Sequence, residues 1–382
     1  MSTAPCIRYL RDYIAIPSVN PMRRSDIPAE IAGEQRYAAH LHEQLRRLGL
    51  DAELIGPEER PSVVAEAHCA GAQETLLIAS HLDTVPIDGM QIEPFDPRLE
   101  QGRIFGRGAC DTKAGMAALI EALERVLSRG SLRCNVIVVG EADEELSSTG
   151  AHAVVRHLED RRPDWILATE PTDLRLVTRH KGVAHARLKA LGVACHASNP
   201  DAGSNAVVAL ARSVLALDEL ARELSKRHDP ELGTATLSVG VIAGGSAANI
   251  VPDEAWLMLD RRLLPGETGE SVRAEIESSL LRHGIENVSV DWCKLEKGPL
   301  ATPDDHVCVR RCQAALAQAK LPTAPDIASF GTDAGVFLEY GVPGVVLGPG
   351  SIQQAHSARE WVEARQVEQM TELLVRLLEG GD

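Results

Sequence analysis

The chain of 382 residues is 44% hydrophobic and 25% charged, which is the composition of a folded globular protein long enough for two domains. Its formal net charge of −16 at pH 7 opposes binding to nucleic acid and to anionic membranes, so a small molecule is the expected partner. Charged residues near the N-terminus argue against a signal peptide, and no segment reaches the roughly 20 apolar residues of a membrane span, so we expect a cytoplasmic protein.

The first half of the chain alternates apolar runs with stretches of helical periodicity, which is typical of an α/β fold with a mixed sheet flanked by helices. The polar, irregular segment Pro17–Ile27 is predicted to be a loop. Strands are predicted at Ser62–Ala67, Thr75–Ser80, Asn135–Val139 and Trp165–Ala168. Helices are predicted at Ala29–Leu48, Thr112–Leu127 and Gly150–Leu158.

The pattern changes in the middle of the chain, between residues 178 and 297. The predicted elements are, in order, a strand (Ala184–Val193), a helix (Asn205–Ser225), two strands (Thr234–Ile242 and Glu254–Leu263), a helix (Glu270–His283) and a strand (Asn287–Leu295). This β-α-β-β-α-β order is that of a ferredoxin-like split unit, and it predicts an inserted domain at 178–297.

The chain then returns to its first domain. A helix near Asp304–Ala319, a strand at Gly344–Leu347 and a helix around Val362–Leu378 are predicted there. The first domain would therefore consist of residues 1–177 and 298–382.

Candidate metal ligands follow several of these strands. His81, the pair Glu144-Glu145 and Glu170 each come just after a predicted buried strand. Ligands gather beyond the carboxyl ends of strands in such sheets, so this placement supports a site. Asp111 and the distant His356 complete a set of imidazoles and carboxylates that can hold two zinc ions for hydrolytic chemistry.

Local spacing indicates how some of these side chains could work. His81 and Asp83 are two residues apart at a strand end, so they can face the same side, and Asp83 can accept the hydrogen bond of the second imidazole nitrogen. Of the neighbours Glu144 and Glu145, one can bind metal while the other acts as a general base.

Each candidate also has a simpler interpretation. Asp111 could cap the helix that follows it, and Glu144 and its acidic neighbours could form a solvated loop. Glu170 could belong to a strand-end turn, and His356 could be structural. The metal hypothesis fails only if all of these alternatives hold together.

The eight cysteines are scattered and include no Cys-x-x-Cys pair. This distribution favours reduced thiols over a disulfide framework or a thiolate zinc site. Cys110 adjoins a candidate ligand, but burial in the core is the favoured interpretation.

A series of motifs along the chain resembles the zinc-dependent aminoacylase and carboxypeptidase family of metallopeptidases. The motifs are, in order, SHLDTVP, GRGACDTKAG, EADEELSSTG, ATEPT, CHASNP, GGSAANIVPDE, DRRLLPGE, FGTDAG and LGPGSIQQAHSARE. This family includes acetylornithine deacetylase, succinyl-diaminopimelate desuccinylase, aminoacylase and glutamate carboxypeptidase. The match spans nearly the whole chain, and LGPGSIQQAH resembles the acetylornithine deacetylase branch.

The resemblance implies a zinc-hydrolase catalytic domain with two zinc ions, for which cobalt or manganese can substitute. His81 and Glu170 would hold one ion, Glu145 and His356 the other, and Asp111 would bridge them. It also implies a cis peptide bond between Asp111 and the next residue.

The resemblance assigns a catalytic role to Glu144. Glu144 would take a proton from the attacking water and give it to the departing amine. Asp83, whose role follows from its spacing to His81, would fix the tautomer and orientation of that imidazole.

The resemblance also implies residues that bind the substrate. His196 would reach the active site of a partner subunit, which implies a homodimer formed through the inserted lid domain. Asn249 and Arg262 would bind the substrate carboxylate, although a solvated arginine is an alternative. Gly331 and Thr332 would line the pocket, and close backbone approach is expected at residues 348–350.

The chain departs from the family pattern after His356. Ala358-Arg359-Glu360 stand where relatives commonly carry Pro-Asp or a similar acidic pair, and we expect this change to alter the charge at the pocket rim.

The main hypothesis is a dinuclear zinc hydrolase that removes the acyl group from a small N-acyl amino acid, similar to acetylornithine deacetylase. A desuccinylase, an aminoacylase or a dipeptidase of the same family is an alternative. A non-catalytic metal-binding relative is the alternative of a different class.

Overall fold

The structure, a computed structural model, describes residues 4–380 and divides into two compact units. Unit 1 comprises the chain up to Arg179, Leu300–Ala328 and the chain from Thr332 onward. Unit 2 comprises His180–Pro299 and Ser329–Gly331.

The first part of unit 1 alternates strands and helices. Its strands are β1 (Asp51–Ile55), β2 (Ser62–Ala67), β3 (Thr75–His81), β4 (Arg98–Glu100), β5 (Arg103–Phe105), β6 (Asn135–Glu141), β7 (Trp165–Ala168) and β8 (Val177–His180). Its helices are α1 (Pro5–Ile14), α2 (Gln35–Arg47), α3 (Lys113–Arg129) and α4 (Thr149–His157). The strands predicted in this part are confirmed as β2, β3, β6 and β7.

Helix α2 begins later than predicted, at Gln35 rather than at Ala29. Gly33 has a φ of +79°, a left-handed conformation that a right-handed helix cannot contain. The next residue, Glu34, turns its side chain into a buried ion pair with Arg60. The apolar periodicity did not reveal either constraint.

Unit 2 contains an antiparallel sheet covered by two helices. Its strands are β9 (Gly182–Leu191), β10 (His228–Asp229), β11 (Gly233–Thr234), β12 (Thr236–Gly244), β13 (Glu254–Leu263) and β14 (Val288–Lys297). Its helices are α5 (Ala206–Leu224), α6 (Gly269–Arg282) and a short 3₁₀ turn at Pro200–Ala202. The sheet has the order β12-β13-β9-β14, and Leu188 and Leu257 on one face pack with Leu217 and Ile276 of the helices.

The last part of the chain returns to unit 1. Its elements are β15 (Leu300–Ala301), α7 (Val307–Gln318), β16 (Asp326–Ala328), α8 (Asp333–Glu339), β17 (Gly344–Val346), β18 (Trp361–Glu363) and α9 (Ala364–Leu378). The main sheet has the order β1-β2-β6-β3-β7-β17-β8-β15, with β16 beside β8. Its central strands β6, β3, β7 and β17 run parallel to one another.

Both faces of the main sheet are buried, which explains the continuous apolar runs of its strands. Leu76 and Ile78 of β3 belong to a core formed with α1, α2, α3 and α9. Leu77 and Ala79 of the same strand point to the opposite face, into a core formed with α4 and α8. None of the helices between residues 4 and 380 has the length and apolar character needed to cross a membrane.

His185 of β9 makes the stability of unit 2 dependent on pH. Its imidazole lies 3.3 Å from the carboxylate of Asp260 and 3.5 Å from that of Glu296. Hydrogen bonds to these carboxylates outweigh burial and raise the pKa of His185 from 6.5 to about 9. Because the folded pKa lies above the unfolded one, this stabilisation is complete below about pH 6.5 and is lost as the pH rises through about 9.

We therefore expect His185→Gln to lower the urea midpoint at pH 6 and to have little effect at pH 10. Circular dichroism at both pH values measures the midpoint, and comparison with wild type at each pH removes the contribution of other groups. The exposed His68 supplies the control, His68→Gln. An equal loss for His185→Gln at both pH values would contradict the prediction.

Candidate active site

Parallel strands bring the predicted ligands to one edge of the main sheet. His81 is the last residue of β3, Glu145 follows the end of β6, and Glu170 follows the end of β7. These strands are neighbours in the order β6-β3-β7, so their carboxyl ends meet.

Asp111 enters the site from the segment before α3. The N-cap of α3 is Thr112, and the Oδ1 atom of Asp111 lies 2.8 Å from Nε2 of His81, so the capping alternative is wrong. The peptide bond between Asp111 and Thr112 is cis, which confirms that prediction. At Gly115 an added Cβ would lie 2.2 Å from Oγ1 of Thr169, so only glycine lets α3 approach the end of β7 this closely.

His356 reaches the site from the loop after β17. Its Nε2 atom lies 3.3 Å from Oδ2 of Asp111 and 3.1 Å from Oε2 of Glu145. A Cβ at Gly348 would lie 2.4 Å from the carbonyl oxygen of Glu170, so the glycine-rich loop packs directly against the segment after β7.

The structure thus gathers all five predicted ligands in unit 1. Ligand atoms of His81, Asp111 and Glu145 lie within 4.8 Å of one another. Oε2 of Glu170 lies 4.0 Å from Nε2 of His81. We refer to His81, Asp111, Glu145, Glu170 and His356 as the ligand cluster.

Charges within the ligand cluster strongly perturb one another. Hydrogen bonds to Asp111 and Glu145 raise the pKa of His356 to about 10. Burial opposes a charge on His81, but Glu170 and Asp111 outweigh it and raise the pKa of this imidazole well above its usual value. Burial and the charge of Asp111 raise the pKa of Glu145 to about 7. The carboxylates of the ligand cluster therefore favour a positively charged group beside them, either a protonated imidazole or a cation.

The ligand cluster fits a divalent metal ion. Imidazole nitrogens and carboxylate oxygens are ligands for zinc and related metals, and a metal ion competes with protons for both. The nearby thiol of Cys110 is buried and donates to the carbonyl of Ser351 at 3.2 Å, so the structure keeps it as a core residue, as predicted.

Asp83 lies beneath the ligand cluster and makes more contacts than predicted. Nδ1 of His81 lies 2.9 Å from the carbonyl oxygen of Asp83 and 3.5 Å from its carboxylate, so the shorter contact is to the main chain. The carboxylate also accepts hydrogen bonds from the backbone amides of Glu144 and Glu145, at 3.1 Å each. Asp83 can therefore position both glutamates as well as the imidazole.

Glu144 is buried beside the ligand cluster. Its backbone amide donates to Oδ1 of Asp83 at 3.1 Å, and the same oxygen lies 3.5 Å from Nδ1 of His81, so residue 144 adjoins the ligand cluster. The solvated-loop alternative for this stretch is therefore wrong for Glu144. Glu141, at the end of β6, is also buried, and burial together with Asp333 raises its pKa well above its usual value.

Asn20 was missed by the sequence analysis. Its buried Nδ2 atom donates to Asp83 at 2.8 Å and to Asp143 at 3.0 Å. Arg60 also donates to Asp143, at 2.8 Å. Asn20 lies in the predicted irregular loop, 63 residues from Asp83, so no local pattern indicates the contact.

We expect Asn20→Asp to lower kcat/KM by about 10–100-fold, the usual effect of losing a residue that orients metal ligands. The new carboxylate would face those of Asp83 and Asp143 without a counter-charge of its own. Steady-state kinetics measure the loss of kcat/KM, and thermal unfolding measures the cost of the new carboxylate to the stability of the fold. The exposed Asn287 gives the control, Asn287→Asp, and wild-type kinetics for Asn20→Asp would refute this positioning role.

The residues expected to bind substrate are divided between the units. His196 and Asn249 are exposed on unit 2, where the amide of Ala197 donates to the carbonyl of Asn249 at 3.0 Å. Nδ1 of His196 lies 2.7 Å from the hydroxyl of Ser198. Gly331 also belongs to unit 2, whereas Thr332 is buried at the N-cap of α8 in unit 1.

The adjacent arginines of β13 have opposite environments. Arg261 is fully buried and pairs with Glu267 at 2.8 Å and Glu275 at 3.4 Å. Arg262 is partly exposed and pairs with Asp260 at 2.9 Å. Strand alternation explains the difference, and only Arg262 retains access to solvent.

The side chain of Glu360 is buried, although it was expected at the rim of the pocket. It is 1% exposed and therefore adds no charge at a pocket rim, whereas for the exposed Arg359 the expected change in rim charge stays a prediction. Strand β18 begins at the next residue and pairs with β5, which draws Glu360 inward.

Comparisons with known proteins identify the family to which this chain is similar. The profile of peptidase family M20/M25/M40 matches residues 77–380. Acetylornithine deacetylase of Myxococcus xanthus is 31% identical over 330 residues, or 84% of each chain. Acetylornithine deacetylase of Proteus mirabilis is 29% identical over 392 residues, which cover 98% of this chain and 96% of the relative.

Solved structures show the same fold. An M20 family metallo-carboxypeptidase from Sulfolobus solfataricus gives a TM-score of 0.81 at 22% identity and covers 99% of both chains. A dinuclear metal binding peptidase of the M20 family from Bacillus subtilis gives a TM-score of 0.68 at 17% identity over 98% of both chains. The family resemblance and the mixed α/β fold are thereby confirmed, and this chain belongs to peptidase family M20/M25/M40 as a hydrolase that acts on amide bonds.

Proposed function

We propose that the protein removes the acyl group from a small N-acyl amino acid at a dinuclear zinc centre, in the manner of an acetylornithine deacetylase. The observation that carries this proposal is the ligand cluster with the buried Glu144 beside it. The similarity to acetylornithine deacetylases of Myxococcus xanthus and Proteus mirabilis supports this branch of the family.

The ligand cluster can be divided into two halves around Asp111. One oxygen of Asp111 faces His81 and the other faces His356, at 2.8 and 3.3 Å. This geometry supports a bridging role, with His81 and Glu170 on one side and Glu145 and His356 on the other. Zinc bound there, or cobalt or manganese in its place, would polarise the substrate carbonyl and stabilise negative charge on its oxygen.

Glu144 supplies the proton transfers in this proposal. Its carboxylate accepts a proton from the attacking water and passes it to the nitrogen of the departing amine. Asp83 holds the Glu144 amide at 3.1 Å, which limits the movement of the base. Burial excludes bulk water that would compete for the proton.

Unit 2 would be the inserted lid and dimerisation domain. Its strand order, β12-β13-β9-β14, supports the ferredoxin-like assignment. Strand β12 lies at the edge of the sheet and exposes Val241 and Ile242, a surface that a second copy could cover. A homodimer would let His196 serve the partner's active site, while Arg262 and Asn249 bind the substrate carboxylate. A monomer in sedimentation equilibrium would contradict the dimer.

The deciding experiment follows primary amine release by the zinc-loaded or cobalt-loaded protein. The panel contains N-acetylornithine, N-succinyl-diaminopimelate, several N-acetyl amino acids and dipeptides. We expect metal-dependent release from N-acetylornithine. Preferential release from another member would select a desuccinylase, an aminoacylase or a dipeptidase instead. A metal-loaded protein inactive on the whole panel would overturn the proposal and favour a non-catalytic relative.

A further inference from the structure

The buried carboxylate of Glu360 holds the loop that carries Asp111. Oε2 of Glu360 accepts hydrogen bonds from Nη1 of Arg107 at 2.7 Å and from the amide of Gly108 at 3.0 Å. Oε1 accepts from the amides of Cys110 and Asp111 at 2.9 and 3.1 Å. Each oxygen thus has two donors, and three of the four donors are backbone amides.

The contacts of Glu360 join the segments that carry two members of the ligand cluster, Asp111 and His356. Asp111 and Glu360 are 249 residues apart, and His356 lies on the same short segment as Glu360. The amide of Gly106 also donates to the carbonyl of Glu360 at 3.1 Å. The segment that carries His356 is therefore fixed by both side chain and main chain against the loop that carries Asp111.

An apolar residue in place of Glu360 would leave the buried guanidinium of Arg107 and three backbone amides without this acceptor, so the carboxylate is required by the loop that it holds. The same carboxylate is well suited to fixing backbone amides, because its oxygens accept several charge-assisted hydrogen bonds in defined directions. Glu363, on the adjoining strand, has an exposed ion pair with Arg103 at 3.0 Å instead.

We propose that Glu360 is a positioning residue that sets the placement of Asp111 relative to His356 in the metal centre. This role rests on the metal centre proposed above. Glu360 does not touch the substrate or the metal in this role. It acts through the backbone of Asp111, whose carboxylate oxygens face the two histidines.

The test compares Glu360→Gln with Glu363→Gln. Glutamine has nearly the same shape as glutamate, but its NH₂ group would face two hydrogen-bond donors. We expect Glu360→Gln to weaken zinc binding by about 10–100-fold in competition with a chromophoric chelator. We also expect a changed visible absorption spectrum of the cobalt form. Glu363→Gln should leave affinity and spectrum unchanged.

The results of this test distinguish failure of the positioning role of Glu360 from failure of the proposed metal centre. Wild-type protein that binds no zinc would overturn the proposed centre. If wild type binds zinc and Glu360→Gln has the same affinity and cobalt spectrum, only the positioning role is overturned. It is also overturned if the unfolding temperature of metal-free Glu360→Gln falls while the cobalt spectrum stays that of wild type.

A measurement on wild type covers the case in which Glu360→Gln does not fold. Hydrogen exchange of the metal-free protein should show protected amides at Gly108, Cys110 and Asp111, because the carboxylate accepts from all three. Rapid exchange at these amides would overturn the positioning role without any variant.

Discussion

Glu144→Gln is expected to lower kcat by about 10²–10⁴-fold while the protein keeps its zinc. Glutamine preserves the shape of the side chain and the hydrogen bond from the residue 144 amide to Asp83, but it cannot take a proton from water. The variant therefore removes the base and leaves the ligand cluster intact. Steady-state kinetics with the substrate identified by the panel and zinc content by mass spectrometry measure the two quantities.

The exposed Glu159 in the same unit provides the matched control, Glu159→Gln, which should retain wild-type kinetics. Unchanged turnover of Glu144→Gln would refute its role as the base. Loss of turnover together with loss of zinc would instead make Glu144 a ligand.

Asp111→Asn is expected to lower kcat/KM on the order of 1000-fold or more and to reduce the amount of zinc bound. Both oxygens of Asp111 face an imidazole, at 2.8 and 3.3 Å, and asparagine keeps only one of these oxygens and no charge. A bridging ligand affects both metal positions, and a loss of several kcal/mol in the transition state corresponds to about three powers of ten in rate.

Zinc content, the cobalt spectrum and kcat/KM together test this prediction. Asp88→Asn is the control, because Asp88 is an exposed aspartate of the same unit that pairs with Arg24. Asp111→Asn with a full complement of zinc and wild-type kcat/KM would exclude the bridging role.

The sheet and much of the candidate site could be predicted from local patterns. Strands buried on both faces give continuous apolar runs, so β3 and β7 were visible directly in the sequence. The end of a parallel strand is itself a marker of function, and this position alone made His81 and Glu170 candidate ligands. His356 does not follow a predicted strand directly, so its residue type made it a candidate as the second imidazole of the set, and the family motif then assigned it to one of the two metal ions.

Other features depended on contacts that sequence spacing does not encode. Helix α1 was not predicted, and its apolar residues Ile7 and Leu10 have their partners in the core formed with α3 and α9. The start of α2 depended on the backbone conformation of Gly33. Arg261 and Arg262 have the same chemistry, and only the orientation of β13 placed one in the core and the other at the surface.

The sequence by itself determined the family, the mixed α/β fold and the ligand candidates, because these depend on residue types at strand ends and on motif order. Only the tertiary structure decided that Asn20 supports Asp83 and that Glu360 supports Asp111. An asparagine in a polar loop and a glutamate beside an arginine are typical of solvated surfaces. Their burial follows from chain segments 63 and 249 residues apart meeting in the fold, which no local pattern records.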